Sequence, residues 1–113
     1  GRPPAFDRWL ETYKPDAILS INPVVREWVQ DSGRSVPGDM GLVNLNVVDD
    51  VENWSGIREN HEWIGAAAVD LLIGQLSRNE IGITRQPRKV LIPGEWHEGG
   101  TLRELSSFAT ERR

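Results

Sequence analysis

The feature that most constrains the fold is a short apolar run, Ala17-Ile18-Leu19-Ser20-Ile21, which lies between two helical patterns. The run does not alternate strictly between apolar and polar residues, so it is typical of a strand covered on both faces, as in a parallel sheet. A second such run, at residues 42–45, follows the next helical pattern. Helix, strand, helix and strand in this order predict an α/β fold with a parallel sheet and right-handed crossovers.

The first two helices have clear end signals. Residues 4–14 carry apolar and aromatic side chains at i, i+3, i+4 and i+7, and Pro15 ends this pattern. Asn22-Pro23 is typical of a helix start, with Asn22 as the N-cap and Pro23 in the first helical position. Gly33 is a natural left-handed stop for that helix.

The second half of the chain predicts a further helix and a further strand. Asn60 is expected to cap a helix that runs to residue 78, and residues 89–92 are expected to form a third strand. Three tryptophans, at positions 9, 28 and 63, lie on helical stripes and are expected to pack in the core.

Composition limits the class of protein. A chain of 113 residues can bury one core but not two, and no apolar run approaches the roughly 20 residues of a membrane helix. The 17 acidic and 13 basic residues give a net charge of −4, and the basic residues are scattered, so this chain by itself is a poor candidate to grip DNA. The absence of cysteine excludes a disulfide scaffold and thiol catalysis, and it fits a reducing cytosol.

Catalytic and metal-binding motifs are not found. His61-Glu62 has no second histidine four residues later, as a zinc-protease helix requires, and the acidic run at residues 49–52 lacks the spacing of a calcium loop. Neither a phosphate-binding glycine loop nor a nucleophile elbow is present. We therefore predict a protein that is not an enzyme and that has no cofactor or metal site.

Five segments, in order, carry a resemblance to a known family. They are residues 15–22 (PDAILSIN), 33–43 (GRSVPGDMGLV), 55–60 (SGIREN), 64–72 (IGAAAVDLL) and 90–101 (VLIP to GGT). Together they span residues 15–102, and this stretch resembles the C-terminal part of the effector-binding domain of lactose-repressor-family (LacI/GalR-type) transcriptional regulators. The family commonly has Asp at the position of Asn46 and Gln-Asp at the positions of Glu59-Asn60.

The resemblance implies an incomplete type I periplasmic-binding-protein-like fold, in which two α/β lobes enclose a ligand. Residues 1–58 would form a parallel-sheet part of the C-terminal lobe. Residues 59–102 would form the crossover helix and strand that return to the N-terminal lobe, and residues 103–113 a flexible tail. The N-terminal lobe strands and the DNA-binding headpiece of the family would both be missing.

The function implied by the resemblance is effector sensing in a bacterial DNA-binding transcriptional repressor. The effector, a sugar, would bind between the two lobes and be coupled to operator binding, with operator DNA contacted only through the missing headpiece. A cytoplasmic homodimer without membrane contact is expected. The third helix would expose an apolar stripe, which also favours self-association. The alternative is a periplasmic sugar-binding protein of a transport system, which the N-terminal sequence and the oligomeric state would distinguish; an α/β enzyme fragment would need a paired nucleophile and base.

Four residues are predicted to bind the ligand. Asn22 and Asn46 end two strands of the expected sheet, where open parallel sheets bind ligands, and an amide both donates to and accepts from hydroxyls. Trp54 offers an aromatic face for a sugar ring, and Glu59 a charged acceptor. The open alternatives are an N-cap for Asn22, a turn residue for Asn46, a buried loop anchor for Trp54 and a first-turn acid for Glu59.

Six further residues are predicted to form the flexible crossovers between the lobes. They are Ile57, Arg58, Asn60, Glu98, Gly99 and Gly100. The two glycines are expected to permit unusual backbone angles.

Overall fold

The structure, a computed structural model, describes residues 1–48 and 53–104. Within them the chain forms, in order, α1 (Pro4–Tyr13), β1 (Ala17–Ser20), α2 (Val24–Asp31), β2 (Gly41–Asn44), β3 (Gly56–Arg58), α3 (His61–Ser77) and β4 (Glu95–His97). The strands make one sheet in the order β1-β2-β3-β4. β1 pairs with β2 in parallel from Ala17↔Gly41 to Ser20↔Asn44, and β2 pairs with β3 in parallel at Asn44↔Gly56. The predicted α/β fold with a parallel sheet is confirmed.

The described chain divides into two compact units. The first contains Gly1–Arg58 and the segment from Trp96 onward, and the second contains Glu59–Glu95. The assignment of residues 1–58 and 59–102 to two different lobes stays a prediction. The predicted tail at residues 103–113 lies, from residue 105 on, outside the described residues.

The core lies in the first unit, between the sheet and its two helices. Its buried apolar members are Leu10, Ile18, Val29, Met40, Leu42, Val47 and Trp54. Ile18 and Leu42 are cross-strand partners, so the two strands contribute to the same core from neighbouring positions. Burial of a side chain of this size stabilises the fold by roughly 1.5–3 kcal/mol. The prediction that Trp9 and Trp63 are core residues is wrong, since they are 39% and 65% exposed.

The helix ends follow the local sequence signals. Lys14 adopts a left-handed φ of 45° directly after α1, and its N–H donates to the carbonyl of Leu10 at 2.9 Å. Gly33 follows α2 with a φ of 91°, which confirms the predicted stop. Asn60 caps α3, as predicted, by accepting the N–H of Trp63 at 3.5 Å.

A tight turn precedes β2. The carboxylate of Asp39 accepts the backbone N–H of Ser35 at 2.8 Å and its hydroxyl at 3.2 Å. These hydrogen bonds, the backbone one first, lower the pKa of the Asp39 carboxyl below its ordinary value, because they favour its charged form.

The second unit consists of α3 and the segment that follows it. No residue of α3 is buried, and apolar side chains are exposed around the whole helix, among them Trp63, Ile64, Val69, Leu72, Ile73 and Leu76. After the helix, Arg78 donates to the Glu80 carboxylate at 2.8 Å, and this hydrogen bond lowers the pKa of Glu80. No helix among the described residues is long and apolar enough to cross a membrane.

The predicted strand at residues 89–92 is wrong. That segment has no strand, and its Val90 and Leu91 are 54% and 88% exposed. A strand requires hydrogen bonds to a neighbouring strand, and an apolar run alone does not supply that neighbour. After α3, the chain joins the sheet at β4, which begins three residues after this segment. The sheet also contains β3, for which no strand was predicted.

Candidate functional site

The candidate site lies at the ends of β1 and β2, where residues 20–22 and 44–47 leave the sheet; we call this the carboxyl edge. The two strand ends are neighbours, because the N–H of Leu45 donates to the carbonyl of Ser20 at 2.9 Å. Parallel strands end at the same side of a sheet, and that side is where open α/β sheets bind ligands. The structure therefore places the segments that carry Asn22 and Asn46 side by side.

Asn22 is exposed and has a local structural task. Its Oδ1 accepts the N–H of Val24 at 3.0 Å, and its own N–H donates to the hydroxyl of Ser20 at 3.1 Å. The helix begins at Val24, and Pro23, predicted as its first helical residue, is instead the N-cap. Asn22 thus satisfies an N–H at the start of α2 from one position before the N-cap. Its side-chain amide N–H₂ is the group with which it would donate to a ligand.

Asn46 lies in a bulge at the end of β2. The N–H of Asn44 donates to the carbonyl of Ser55 at 2.9 Å, and a regular parallel ladder would next join Asn46 to Ile57. Instead Val47 donates to Ile57 at 2.8 Å, and the N–H of Asn46 donates to Oδ1 of Asn44 at 2.8 Å. One extra residue therefore lies directly after β2, between the hydrogen bonds of Asn44 and Val47, as in a β-bulge.

The Asn46 side chain has an unused acceptor. Its Oδ1 is shielded from solvent and has no hydrogen-bond partner among the described residues. Buried polar atoms without partners are rare because each costs free energy. A ligand hydroxyl would supply the missing donor, which requires the groups that shield this oxygen to move.

Trp54 is a core residue with a cation over its ring. It is 4% exposed, and the guanidinium carbon of Arg26 lies 5.7 Å from the ring centroid. At this distance an arginine is attracted by the ring electrons. This burial favours the loop-anchor interpretation, and the predicted stacking on a sugar stays a prediction that requires Arg26 or the ring to move.

The first predicted crossover begins with β3. Ile57 and Arg58 are half-buried in this strand, and the Nε of Arg58 has no partner among the described residues. Glu59 is exposed and is the first residue of the second unit, in which Asn60 caps α3. The ligand role of Glu59 stays a prediction.

The second predicted crossover is bonded to the segment before β3. Gly99 donates to the hydroxyl of Ser55 at 3.2 Å, and Gly100 donates to the carbonyl of Asn53 at 2.8 Å. A Cβ on Gly99 would lie 2.4 Å from the Trp54 backbone, and a Cβ on Gly100 would lie 2.5 Å from the side-chain amide nitrogen of Asn53. Neither glycine has a positive φ. The expected reason for these glycines was wrong: Gly99 permits the close approach of two main chains, and a Cβ on Gly100 would first meet the end of the Asn53 side chain. Glu98 is exposed, and its carboxylate accepts the indole N–H of Trp96.

Three buried polar residues of this region are absent from the predicted site. They are Asn44, Ser55 and Thr101, with exposures of 5%, 0% and 0%. The hydroxyl of Thr101 accepts the N–H of Ser55 at 2.9 Å, and the carbonyl of Thr101 accepts the N–H of Leu42 at 2.8 Å. A polar residue inside the apolar run of β2 was the available signal for Asn44, and the double glycine before Thr101 was the signal for close packing there.

Metal binding finds no support in the described residues. No group of three or more His, Asp or Glu side chains in residues 1–48 and 53–104 is placed to hold a metal ion. The acidic run at residues 49–52 lies outside the described residues.

A comparison with solved structures shows which known fold the chain is similar to. The α/β fold of the chain, with its mostly parallel four-stranded sheet, matches part of a solved structure of the periplasmic-binding-protein-like fold. In particular, it is similar to a LacI family transcriptional regulator from Arthrobacter sp. FB24, crystallised in complex with lactose. The TM-score is 0.66 and the sequence identity 23%, and the likeness covers 85% of this chain but 38% of that regulator.

The comparison confirms the fold that the sequence resemblance implied. The chain spans less than two fifths of the length of the regulator that it matches, at 38%. No protein-family model matches the sequence, and no curated protein matches it significantly.

Proposed function

We propose that the chain is the effector-sensing part of a sugar-responsive, DNA-binding transcription regulator. The observation that carries this proposal is the likeness of its fold, over 85% of the chain, to a LacI family regulator crystallised with lactose. The role is one of binding and not of catalysis. The proposed ligand is a sugar that binds at the carboxyl edge.

The chemistry of the carboxyl edge supports a polyhydroxylated ligand. Asn46 offers an acceptor without a partner among the described residues, and exposed Asn22 offers an amide N–H₂ on the neighbouring strand end. A sugar hydroxyl is both a donor and an acceptor, so neighbouring hydroxyls can use both amides. Each such hydrogen bond contributes about 0.5–1.5 kcal/mol, and several are needed for micromolar affinity.

The proposed mechanism is linkage between ligand binding and domain arrangement. A sugar that binds one arrangement of two lobes more tightly shifts the population toward it, and the coupling between sites is typically about 1–3 kcal/mol. Ile57, Arg58 and Asn60 in one crossover, with residues 98–100 in the other, would carry this change to DNA-binding elements. Operators with two-fold symmetry require a dimer, so we propose a cytoplasmic homodimer.

The proposal is tested on the complete protein encoded by the gene. Calorimetric titration with lactose and a panel of other mono- and disaccharides measures binding, and electrophoretic mobility on DNA from upstream of its own gene measures operator contact with and without sugar. We expect sugar binding that changes DNA affinity by about 5- to 150-fold. Sugar binding without any DNA binding, in a monomer by light scattering, would favour the alternative of a transport-system binding protein. Absence of sugar binding across the panel would refute the proposal.

A further inference from the structure

Asn44 is buried beside the proposed ligand residue Asn46. Its side chain is 5% exposed, and its Oδ1 accepts the N–H of Asn46 at 2.8 Å. This is the hydrogen bond that replaces the regular ladder bond of Asn46 to Ile57. The bulge at the end of β2 is therefore held by a side chain from within the same strand.

The surroundings leave Asn44 little freedom. Gly56 is the cross-strand partner of Asn44. A Cβ added to Gly56 would lie 1.8 Å from the carbonyl oxygen of Asn44 and 2.9 Å from the backbone nitrogen of Asn44. The Asn44 backbone is also fixed by its N–H, which donates to Ser55. The acceptor that supports Asn46 is thus attached to a buried strand position whose backbone is hydrogen-bonded to the neighbouring segment.

We infer that Asn44 is a positioning residue for the ligand site: its buried amide oxygen holds the Asn46 peptide in the bulge and so fixes the place of the Asn46 side chain, whose Oδ1 has no partner among the described residues. This inference rests on the proposed function. Without the Asn44 oxygen, the Asn46 N–H would replace the Val47 N–H at the Ile57 carbonyl, and residue 46 would return to the regular ladder. In a strand, a shift by one residue turns the side chain to the other face.

The experiment compares variants of the complete protein by lactose calorimetry and by amide NMR. Asn44→Ser shortens the acceptor, so that its oxygen no longer reaches the Asn46 N–H as the amide oxygen does. Ser35→Ala is the matched control, because Ser35 also accepts a nearby backbone N–H, from Asp39 at 3.1 Å, away from the carboxyl edge. We expect Asn44→Ser to weaken lactose binding by about tenfold, the equivalent of one lost hydrogen bond. Ser35→Ala should retain the wild-type affinity.

A double-mutant cycle separates positioning from general loss of stability. In an Asn46→Ala background, Asn44→Ser should no longer change the affinity, because the side chain that Asn44 directs is gone. Equal effects in both backgrounds would overturn the inference. The NMR arm needs no ligand: Asn44→Ser should shift the Asn46 amide resonance and speed its hydrogen exchange, and an unchanged Asn46 amide would also overturn it. A wild-type protein that binds no sugar, together with a shifted Asn46 amide, would instead refute the proposed function and retain the bulge-holding role of Asn44.

Discussion

The hydroxyl of Thr101 donates a 2.6 Å hydrogen bond to the carbonyl oxygen of Leu42, a residue 59 positions earlier in the chain. The same hydroxyl accepts the N–H of Ser55, so one fully buried oxygen joins β2, the segment before β3 and the segment after β4. Further hydrogen bonds to Ser55 and Asn53 fasten the segment after β4 to the rest of the first unit. Two of the residues held in this way are near the carboxyl edge: Leu42 lies in β2, and Ser55 accepts the N–H of Asn44.

Replacement of Thr101 by valine tests its contribution to stability. Valine has nearly the same shape but neither donates nor accepts, so the Ser55 N–H would be left buried and unpaired. We expect the free energy of unfolding to fall by about 1–3 kcal/mol in urea denaturation. Thr101→Ser, which keeps the hydroxyl, should lose less than the valine variant. A valine variant as stable as wild type would show that the hydrogen bonds of the Thr101 hydroxyl do not stabilise the fold.

Two glycines of the same chain should respond in opposite directions to alanine. Gly56→Ala would place a Cβ 1.8 Å from the Asn44 carbonyl oxygen, so the strands must separate, whereas at Gly65, inside α3, nothing lies within 4 Å. We expect Gly56→Ala to destabilise the protein by about 1–3 kcal/mol or more. Gly65→Ala should be neutral or stabilise α3 by about 0.5–1 kcal/mol, because alanine favours helix. Thermal unfolding of both variants measures the contrast, and a stable Gly56→Ala protein would contradict the packing of β2 against β3.

The turn at Asp39 should contribute to the acid dependence of stability. Because hydrogen bonds from Ser35 lower the folded-state pKa of Asp39, its contribution is present above the unfolded pKa of about 3.9 and is lost as pH falls through the lower folded value. The variant Asp39→Asn has no titrating group at this position. We expect wild type to be the more stable protein at neutral pH and the difference to shrink below about pH 4. Urea midpoints across this pH range measure the difference in stability between the two proteins. A difference that does not change with pH would show that the charge of the Asp39 carboxylate is not its cause.

Asn22 should affect both stability and ligand affinity, and two substitutions separate the effects. Asn22→Ala removes the oxygen that accepts the Val24 N–H and should destabilise the protein by about 1 kcal/mol. Asn22→Ser keeps a capping oxygen and should restore most of that stability, but it has no amide to donate to a sugar. We therefore expect both variants to weaken sugar binding in calorimetry. A serine variant with wild-type affinity would remove Asn22 from the proposed site.

The local elements of the first half of the chain could be predicted because their signals are local. Apolar spacing in residues 4–14, the Asn22-Pro23 pair and Gly33 place α1 and α2 within a residue or two, and the unalternating runs place β1 and β2. The strand ends of the candidate site follow from the same rule, since parallel strands finish at one side of the sheet. The helix cap at Asn60 could be predicted from the local sequence in the same way.

What could not be predicted depends on partners distant in sequence. Residues 89–92 have the composition of a strand, but a strand forms only where another strand lies beside it. The sheet instead contains Glu95–His97. Burial of Trp54 and exposure of Trp9 are likewise decided by packing and not by helical spacing. The bulge at Asn46 results from a competition between two acceptors for one N–H, which composition does not reveal.

The close approach of Gly99 to the Trp54 backbone has a mechanical consequence. Because these two segments touch at their main chains and share hydrogen bonds, neither can slide along the other without breaking several contacts at once. We therefore expect the two segments to move together, so that a displacement of one is passed directly to the other.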